Sequence, residues 1–304
     1  MNDMDKIEMG VHLCDVHLKN PVIAASGTVG FCDEYQGLID FSKVGAVSLK
    51  GLTLQERAGN EGVRICETAS GMLNSIGLQN PGIDAFLMQY LPKIQALDTV
   101  LIANIAGNCM GDYVEMARRL ANVKAIKMLE LNISCPNVKQ GGVAFGVYPK
   151  DIGRIVRAVK KVCKQPLMVK LSPNVASICD NAKAAQDAGA DCLSLVNTVH
   201  GLAVDLDKAC VIVKGGLSGP AIKPIGLRQV YEVCKAVDIP VVGMGGIKNA
   251  KDALEYIACG ATAVQIGTAI FSQPSVLQET VSGIQEYLRK KGLNNISQIK
   301  GVIK

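Results

Sequence analysis

The chain has 304 residues, 49% hydrophobic and 19% charged, with 31 glycines and 4% aromatics. That size and balance suit one large α/β domain spanning 1–304 better than two small ones or an aromatic-rich sandwich. The 32 basic and 27 acidic residues leave a net charge of +5 without runs, which excludes the clustered charge of a nucleic-acid binder. The opening residues carry acids and no apolar stretch, and no run approaches the roughly 18 apolar residues of a membrane span. Eleven cysteines occur without a Cys-x-x-Cys pair. The expectation is a cytoplasmic protein with reduced thiols and no metal or iron–sulfur cluster of its own.

In chain order, a short hairpin over 7–20 precedes eight apolar runs at 21–26, 44–50, 99–105, 127–133, 167–171, 191–197, 240–243 and 262–266. Amphipathic stretches at 113–121, 152–163, 177–188, 227–237 and 250–258 lie between them. Strands apolar on both faces and alternating with helices form a parallel sheet covered by helices; eight units close a (β/α)8 TIM barrel. Asp187-Ala-Gly-Ala-Asp and Ala258-Cys-Gly-Ala-Thr each place glycine where a helix ends and a strand begins. The hairpin is expected over the barrel floor. Three long βα connections, 51–81, 134–150 and 198–224, are expected to cover an active site at the opposite end.

The residue at each strand end sharpens that expectation. Ser26, Lys50, Asn104, Asn132, Lys170, Asn197, Gly245–Gly246 and Gly267–Thr268 stand in these positions. Any one of them alone reads as a turn residue; the set makes a polar mouth with positive charge. The glycines after the seventh and eighth runs suit a phosphate, because backbone N–H groups can approach it there. Gly215, Gly216 and Gly219 in the sixth connection are placed to close the same site. Gly243-Met-Gly-Gly-Ile-Lys does not fit G-x-G-x-x-G, so direct nicotinamide binding is not expected. Cys135 falls in the loop after the fourth run, followed by proline. A thiol beside cationic groups can serve as a base, whereas a covalent nucleophile usually wants a histidine partner. His12 and His17 lie in the hairpin and His200 among apolar neighbours, so the base role fits Cys135 better.

The segments Asn132-Ile-Ser-Cys-Pro-Asn-Val and Asn74-Ser-Ile-Gly-Leu-Gln-Asn-Pro-Gly closely resemble the dihydroorotate dehydrogenases, with motifs in the same order over 20–268. Cysteine rather than serine at 135 resembles the soluble class. The stretches 139–146 and 215–224 look like the NAD-linked subclass, whose catalytic subunit pairs with one carrying FAD and a [2Fe–2S] cluster. The segment 55–64 departs from the family in lacking its usual prolines. The resemblance implies oxidation of dihydroorotate to orotate in pyrimidine (UMP) biosynthesis, with FMN bound by this chain. It implies that Cys135 removes a proton from C5 while hydride passes from C6 to flavin N5. Lys50, Asn74, Asn132, Asn197 and Thr198 would bind the substrate carboxylate and ring amides, with Ser75, Ile76, Gly77 and Leu78 beside them. Lys170 would lie near flavin N1 and O2. Ser26, Lys50, Gly51, Asn104, Asn132, Val196 and Gly219 would line the flavin, and Gly245, Gly246, Gly267 and Thr268 would hold its phosphate. A homodimer core with two partner subunits, a heterotetramer, is the implied assembly. Two alternatives remain: a fumarate-linked homodimeric enzyme of the same family, and a non-redox phosphate-binding barrel lyase or isomerase.

Overall fold

The computed structural model describes residues 7–133 and 145–304. Its centre is a closed barrel of eight parallel strands: Val22–Ala24 (β3), Ala46–Ser48 (β4), Val100–Ile105 (β7), Ile126–Asn132 (β8), Leu167–Lys170 (β9), Cys192–Leu195 (β10), Val241–Met244 (β13) and Ala263–Ile266 (β14). They pair in chain order around the ring, and β14 closes on β3. All eight sequence-expected strands are present, each within a few residues of its expected bounds. The other strands are Val11–Leu13 (β1), Val16–Leu18 (β2), Ile65–Thr68 (β5), Gly71–Asn74 (β6), Val199–Asp205 (β11) and Cys210–Ser218 (β12).

Successive side chains on a strand point to opposite faces, so every second residue enters the barrel. At the floor each strand contributes one apolar side chain: Ile23, Ala46, Ile102, Met128, Met168, Cys192, Val242 and Ala263. The β1–β2 hairpin covers this layer, pairing His12 with His17 and driving the fully buried Leu13 and Leu18 into it. Two residues further along, the inward positions of six of the eight strands turn polar: Ser48, Asn104, Glu130, Lys170, Ser194 and Gln265, all buried. The barrel is therefore plugged with hydrocarbon at one end and polar at the other.

Helices coat the outside: Gly82–Ala85 (α1) and Leu91–Ile94 (α2), joined by a π-helical turn at Phe86–Tyr90, then Met110–Leu120 (α3), Pro149–Lys160 (α4), Ile178–Asp187 (α5), Lys223–Ala236 (α6), Ala250–Ala258 (α7), Ala269–Ser272 (α8) and Val276–Lys290 (α9). The inward stripe of α4, Ile152, Ile155, Val156 and Val159, has the spacing of an amphipathic helix. Ser177 and Asn249 cap α5 and α7 by accepting from Asp180 N and Asp252 N. At their far ends Gly189 (φ +95°) and Gly260 (φ +116°) adopt the left-handed conformation expected of the two junctions.

Three features depart from the sequence reading. The β3–β4 crossover carries only 3₁₀ turns, Asp33–Tyr35 and Phe41–Lys43, while α9 packs against β3. The helical segments 82–94 and 276–290 were not among the expected stretches. Connections 51–81 and 198–224 are not simply loops: together they build a four-stranded antiparallel sheet, β11-β12-β6-β5, across the mouth. The first part of the remaining connection, 134–144, lies outside the described residues.

Candidate active site

Between the polar end of the barrel and this roof lies a cavity of about 970 Å³. Every expected site residue other than Cys135 lines it. From the strand ends come Ser26, Lys50, Gly51, Asn104, Asn132, Lys170, Val196, Asn197 and Thr198. Asn74, Ser75, Ile76, Gly77 and Leu78 come from the end of β6 and the turn beyond it. Gly219, Gly245, Gly246, Gly267 and Thr268 complete the set. Cys135 lies outside the described residues. His200 also lines the cavity, from the exposed side of β11, whereas His12 and His17 face each other on the hairpin at the opposite end.

At the bottom of the cavity a residue that sequence reasoning passed over organises the others. Glu130 is fully buried and accepts four hydrogen bonds. Ser48 Oγ (2.6 Å) and Asn104 Nδ2 (2.7 Å) donate to Oε2; Ser194 Oγ (2.7 Å) and Gln265 Nε2 (2.9 Å) donate to Oε1. Burial by itself pushes this carboxyl up, but the Lys170 ammonium and the Ser48, Asn104 and Ser194 donors outweigh it and hold the pKa below the usual carboxylate value. The sequence signal was a lone acid inside an apolar strand, two residues before Asn132 and so on the same inward face. Lys170, only 6% exposed, adds its positive charge to the same floor.

The mouth turn is clamped by Asn80, another residue missed from sequence. Its Oδ1 accepts from Thr53 N (3.2 Å) and Gly82 N (2.9 Å), while Nδ2 donates to Thr53 Oγ1 and Leu78 O, both at 2.8 Å. The clamp sits beside two left-handed residues, Gly77 (φ +75°) and Leu78 (φ +56°). For leucine that conformation is uncommon and must be held by its surroundings. Asn74 Nδ2 donates to Gly216 O (3.3 Å), tying this turn to the other half of the roof. Asn174 performs the same service for β11, donating to Thr198 O (2.9 Å) and accepting from His200 N (2.9 Å). Lys50 is half-buried beside these groups, and burial lowers its pKa from the ordinary lysine value, with Arg64 adding to the effect and Glu34 opposing it.

The sequence model of the family "Dihydroorotate dehydrogenase" matches residues 8–288. The chain belongs to the dihydroorotate dehydrogenase family. A relative from Petrotoga mobilis is 52% identical over 300 residues, covering 98% of this chain and 100% of its own. One from Geotalea daltonii is 47% identical over 304 residues, 99% and 100% of the two chains. One from Bacteroides thetaiotaomicron is 46% identical over 299 residues, 97% and 99%. All three carry the name dihydroorotate dehydrogenase B (NAD(+)), catalytic subunit.

A dihydroorotate dehydrogenase implies a flavin, and two observations test whether this cavity fits one. The first is the glycine turn after β13. Gly245 (φ +120°) and Gly246 (φ +71°) hold conformations that side chains rarely adopt, and a Cβ at Gly246 would stand 2.7 Å from Lys223 Cβ and 2.8 Å from Gly219 O. Main chain alone fits there, as a backbone-bound phosphate requires. Tyr256 Oη donates to Gly245 O (2.7 Å) and pins the turn. Lys223, whose Cβ lies against this turn, is spent on Asp252 and on Glu255 at 2.6 Å, so its ammonium is not free for a phosphate. The second observation is a pair of orphaned acceptors on the floor. Asn104 Oδ1 and Gln265 Oε1 are buried without a hydrogen-bond partner among the described residues. Unmet acceptors lining a cavity suit a ring that brings its own N–H. The volume, at the upper end of the usual few hundred to about 1,000 Å³ for ligand sites, has room for a flavin ring and a second small ring. A dihydroorotate dehydrogenase flavin fits this site.

Proposed function

We propose that this chain is the catalytic subunit of an NAD-linked dihydroorotate dehydrogenase, oxidising dihydroorotate to orotate in pyrimidine biosynthesis with FMN at the barrel mouth. The observation that carries the reading is the convergence of Lys50, Lys170, several side-chain amides and a glycine turn on one roofed cavity, in a chain whose relatives bear that name over their full length. FMN, when bound, supplies the two-electron acceptor for a hydride leaving C6 and a relay onward to the partner.

Each role assigned to the chain follows from its chemistry. Lys50 offers its ammonium to the substrate carboxylate, and an anion beside it would relieve the burial that lowers its pKa. Asn74, Asn132, Asn197 and Thr198, with backbone from Ser75 to Leu78, exchange hydrogen bonds with the amides of the substrate ring. Cys135 takes the proton from C5, so that proton and hydride leave adjacent carbons and the C5–C6 double bond forms. Lys170, over the Glu130 network, sets positive charge where the reduced ring would gather negative charge. Ser26, Gly51, Asn104, Val196 and Gly219 line the ring; Gly245, Gly246, Gly267 and Thr268 hold the phosphate. The electrons reach NAD through a partner subunit bearing FAD and [2Fe–2S], in an assembly of two copies of each chain. The apolar face formed by exposed Leu202, Val204, Leu206 and Val211 suits such contacts. The setting we propose is the cytoplasm; the ten described cysteines are free thiols, and no described helix is long and apolar enough to cross a membrane.

The test is flavin reduction observed directly. The purified complex should show FMN, FAD and iron–sulfur absorbance, and dihydroorotate should bleach the FMN without oxygen present. Cys135→Ala should keep the flavin and slow bleaching about 10²-fold or more, the usual worth of a general base. A near-normal rate would reject Cys135. A colourless protein would point to the non-redox barrel reading, and full turnover of the lone chain with fumarate to the fumarate-linked one.

A further inference from the structure

An ionised carboxylate has no hydrogen to give. Whatever touches Glu130 must therefore do so as a donor, and this decides which way two ambiguous side chains face. Asn104 and Gln265 each carry a donor end and an acceptor end of nearly identical shape. Their Nδ2 and Nε2 atoms are engaged by the Glu130 oxygens at 2.7 and 2.9 Å. Their other ends, Oδ1 and Oε1, are buried, unpartnered among the described residues, and belong to side chains lining the cavity. An ideal Cβ at Gly51, on the cavity wall, would lie 3.0 Å from Asn104 Oδ1, which places that oxygen on the mouth side of the network.

We propose that Glu130 is a positioning residue that locks Asn104 and Gln265 acceptor-outward, so that the cavity floor selects a planar ligand presenting a ring N–H. With Lys170 beside them, the floor then reads acceptor, acceptor, cation. Its complement is a ring edge that turns its N–H to the two oxygens and sets a carbonyl, where negative charge can gather, toward Lys170. The inference rests on the flavin reading above and adds two residues to it, neither of which touches solvent appreciably and one of which, Glu130, acts only through others. Ser48 and Ser194 complete the lock by saturating the carboxylate, each oxygen receiving one hydroxyl and one amide. A neutral amide in place of Glu130 would return an N–H toward this ring of donors, and the cheapest relief is for one amide to turn over.

Glu130→Gln tests this with two probes, FMN and 3-methyl-FMN, whose ring N–H is replaced by a methyl group. Flavin-free protein is titrated with each and the fluorescence quenching followed, with far-UV circular dichroism reporting the fold. The wild type should prefer FMN by about tenfold or more, the scale of one properly made hydrogen bond in a buried site. In Glu130→Gln the affinity for FMN should drop about tenfold and the preference should shrink to about twofold. A purely structural role would weaken both ligands alike and leave the ratio unchanged. Gln265→Met, which keeps the volume and deletes one acceptor, should lower the ratio about threefold, and it decides the matter if Glu130→Gln does not fold. A wild-type chain that binds neither flavin overturns the cofactor reading and this inference with it. Normal wild-type discrimination, kept unchanged in a folded variant, overturns this inference alone.

Discussion

Removing the hydroxyl of Tyr256 isolates the contribution of one hydrogen bond to the glycine turn. The ring is fully buried in a slot made by two glycines: a Cβ at Gly243 would stand 2.6 Å from Tyr256 Cδ1, and one at Gly226 would collide with the hydroxyl. Phenylalanine fills the same slot, so Tyr256→Phe changes one oxygen and little packing. That oxygen donates to Gly245 O at 2.7 Å, with Lys223 O and Met244 O only at 3.4 and 3.5 Å. Losing the bond and leaving a shielded carbonyl unmet costs about 1–2 kcal/mol. For a domain of this size that is a Tm decrease of roughly 2–3 °C in the flavin-free protein. The turn it releases is the one proposed to meet a phosphate, so the ratio of FMN to riboflavin affinity should fall about three- to tenfold. Thermal unfolding and fluorescence titration with both flavins read the two effects separately. A lowered Tm with an unchanged FMN-to-riboflavin ratio would refute the link between Tyr256 and phosphate binding. No change in either would refute the energetic value given to the bond.

Leu18→Ala removes a fully buried side chain from the floor plug and should cost about 2–5 kcal/mol in chemical denaturation. Flavin affinity at the far end of the barrel should stay within about twofold of wild type. Lys50→Met should abolish substrate binding yet stabilise the ligand-free protein, on the order of 1 kcal/mol near neutral pH, as often when a binding-site charge is removed. The sign follows from linkage. Because burial lowers the Lys50 pKa below 10.5, the unfolded chain holds a proton that the folded chain has already released in the window between the two values. Wild-type stability therefore rises with pH across that window. The advantage of the variant should shrink as pH approaches 10.5, and a gap that widens instead would contradict the assignment.

The barrel was legible because its strands are buried on both faces and read as apolar runs, each closing on a polar residue or a glycine at the mouth. Gly189 and Gly260 announced helix ends by their place between periodic and apolar stretches. The roof escaped notice for the opposite reason. β5 and β6 have only four residues each, and β12 carries Gly215 and Gly216, so no alternation accumulates before the strand ends. Glu130 was hidden inside a run scored as hydrophobic. Counting by twos back from Asn132, and likewise from Asn104 to Ile102, separates the polar inward layer from the apolar one and would have exposed Ser48, Ser194 and Gln265 as well. Asn80 and Asn174 act on backbone at a distance in the chain, for which composition offers no cue.

The hydrocarbon plug and the hairpin beneath it make the barrel a cul-de-sac. With one end stoppered, traffic obeys the order of a stack: what settles deepest leaves last. A ring resting on the Glu130 floor is walled in by anything seated above it, and a small molecule nearer the roof can come and go many times without dislodging it. The stopper thus bears on turnover without ever meeting a reactant, by keeping the resident and the visitor in their places.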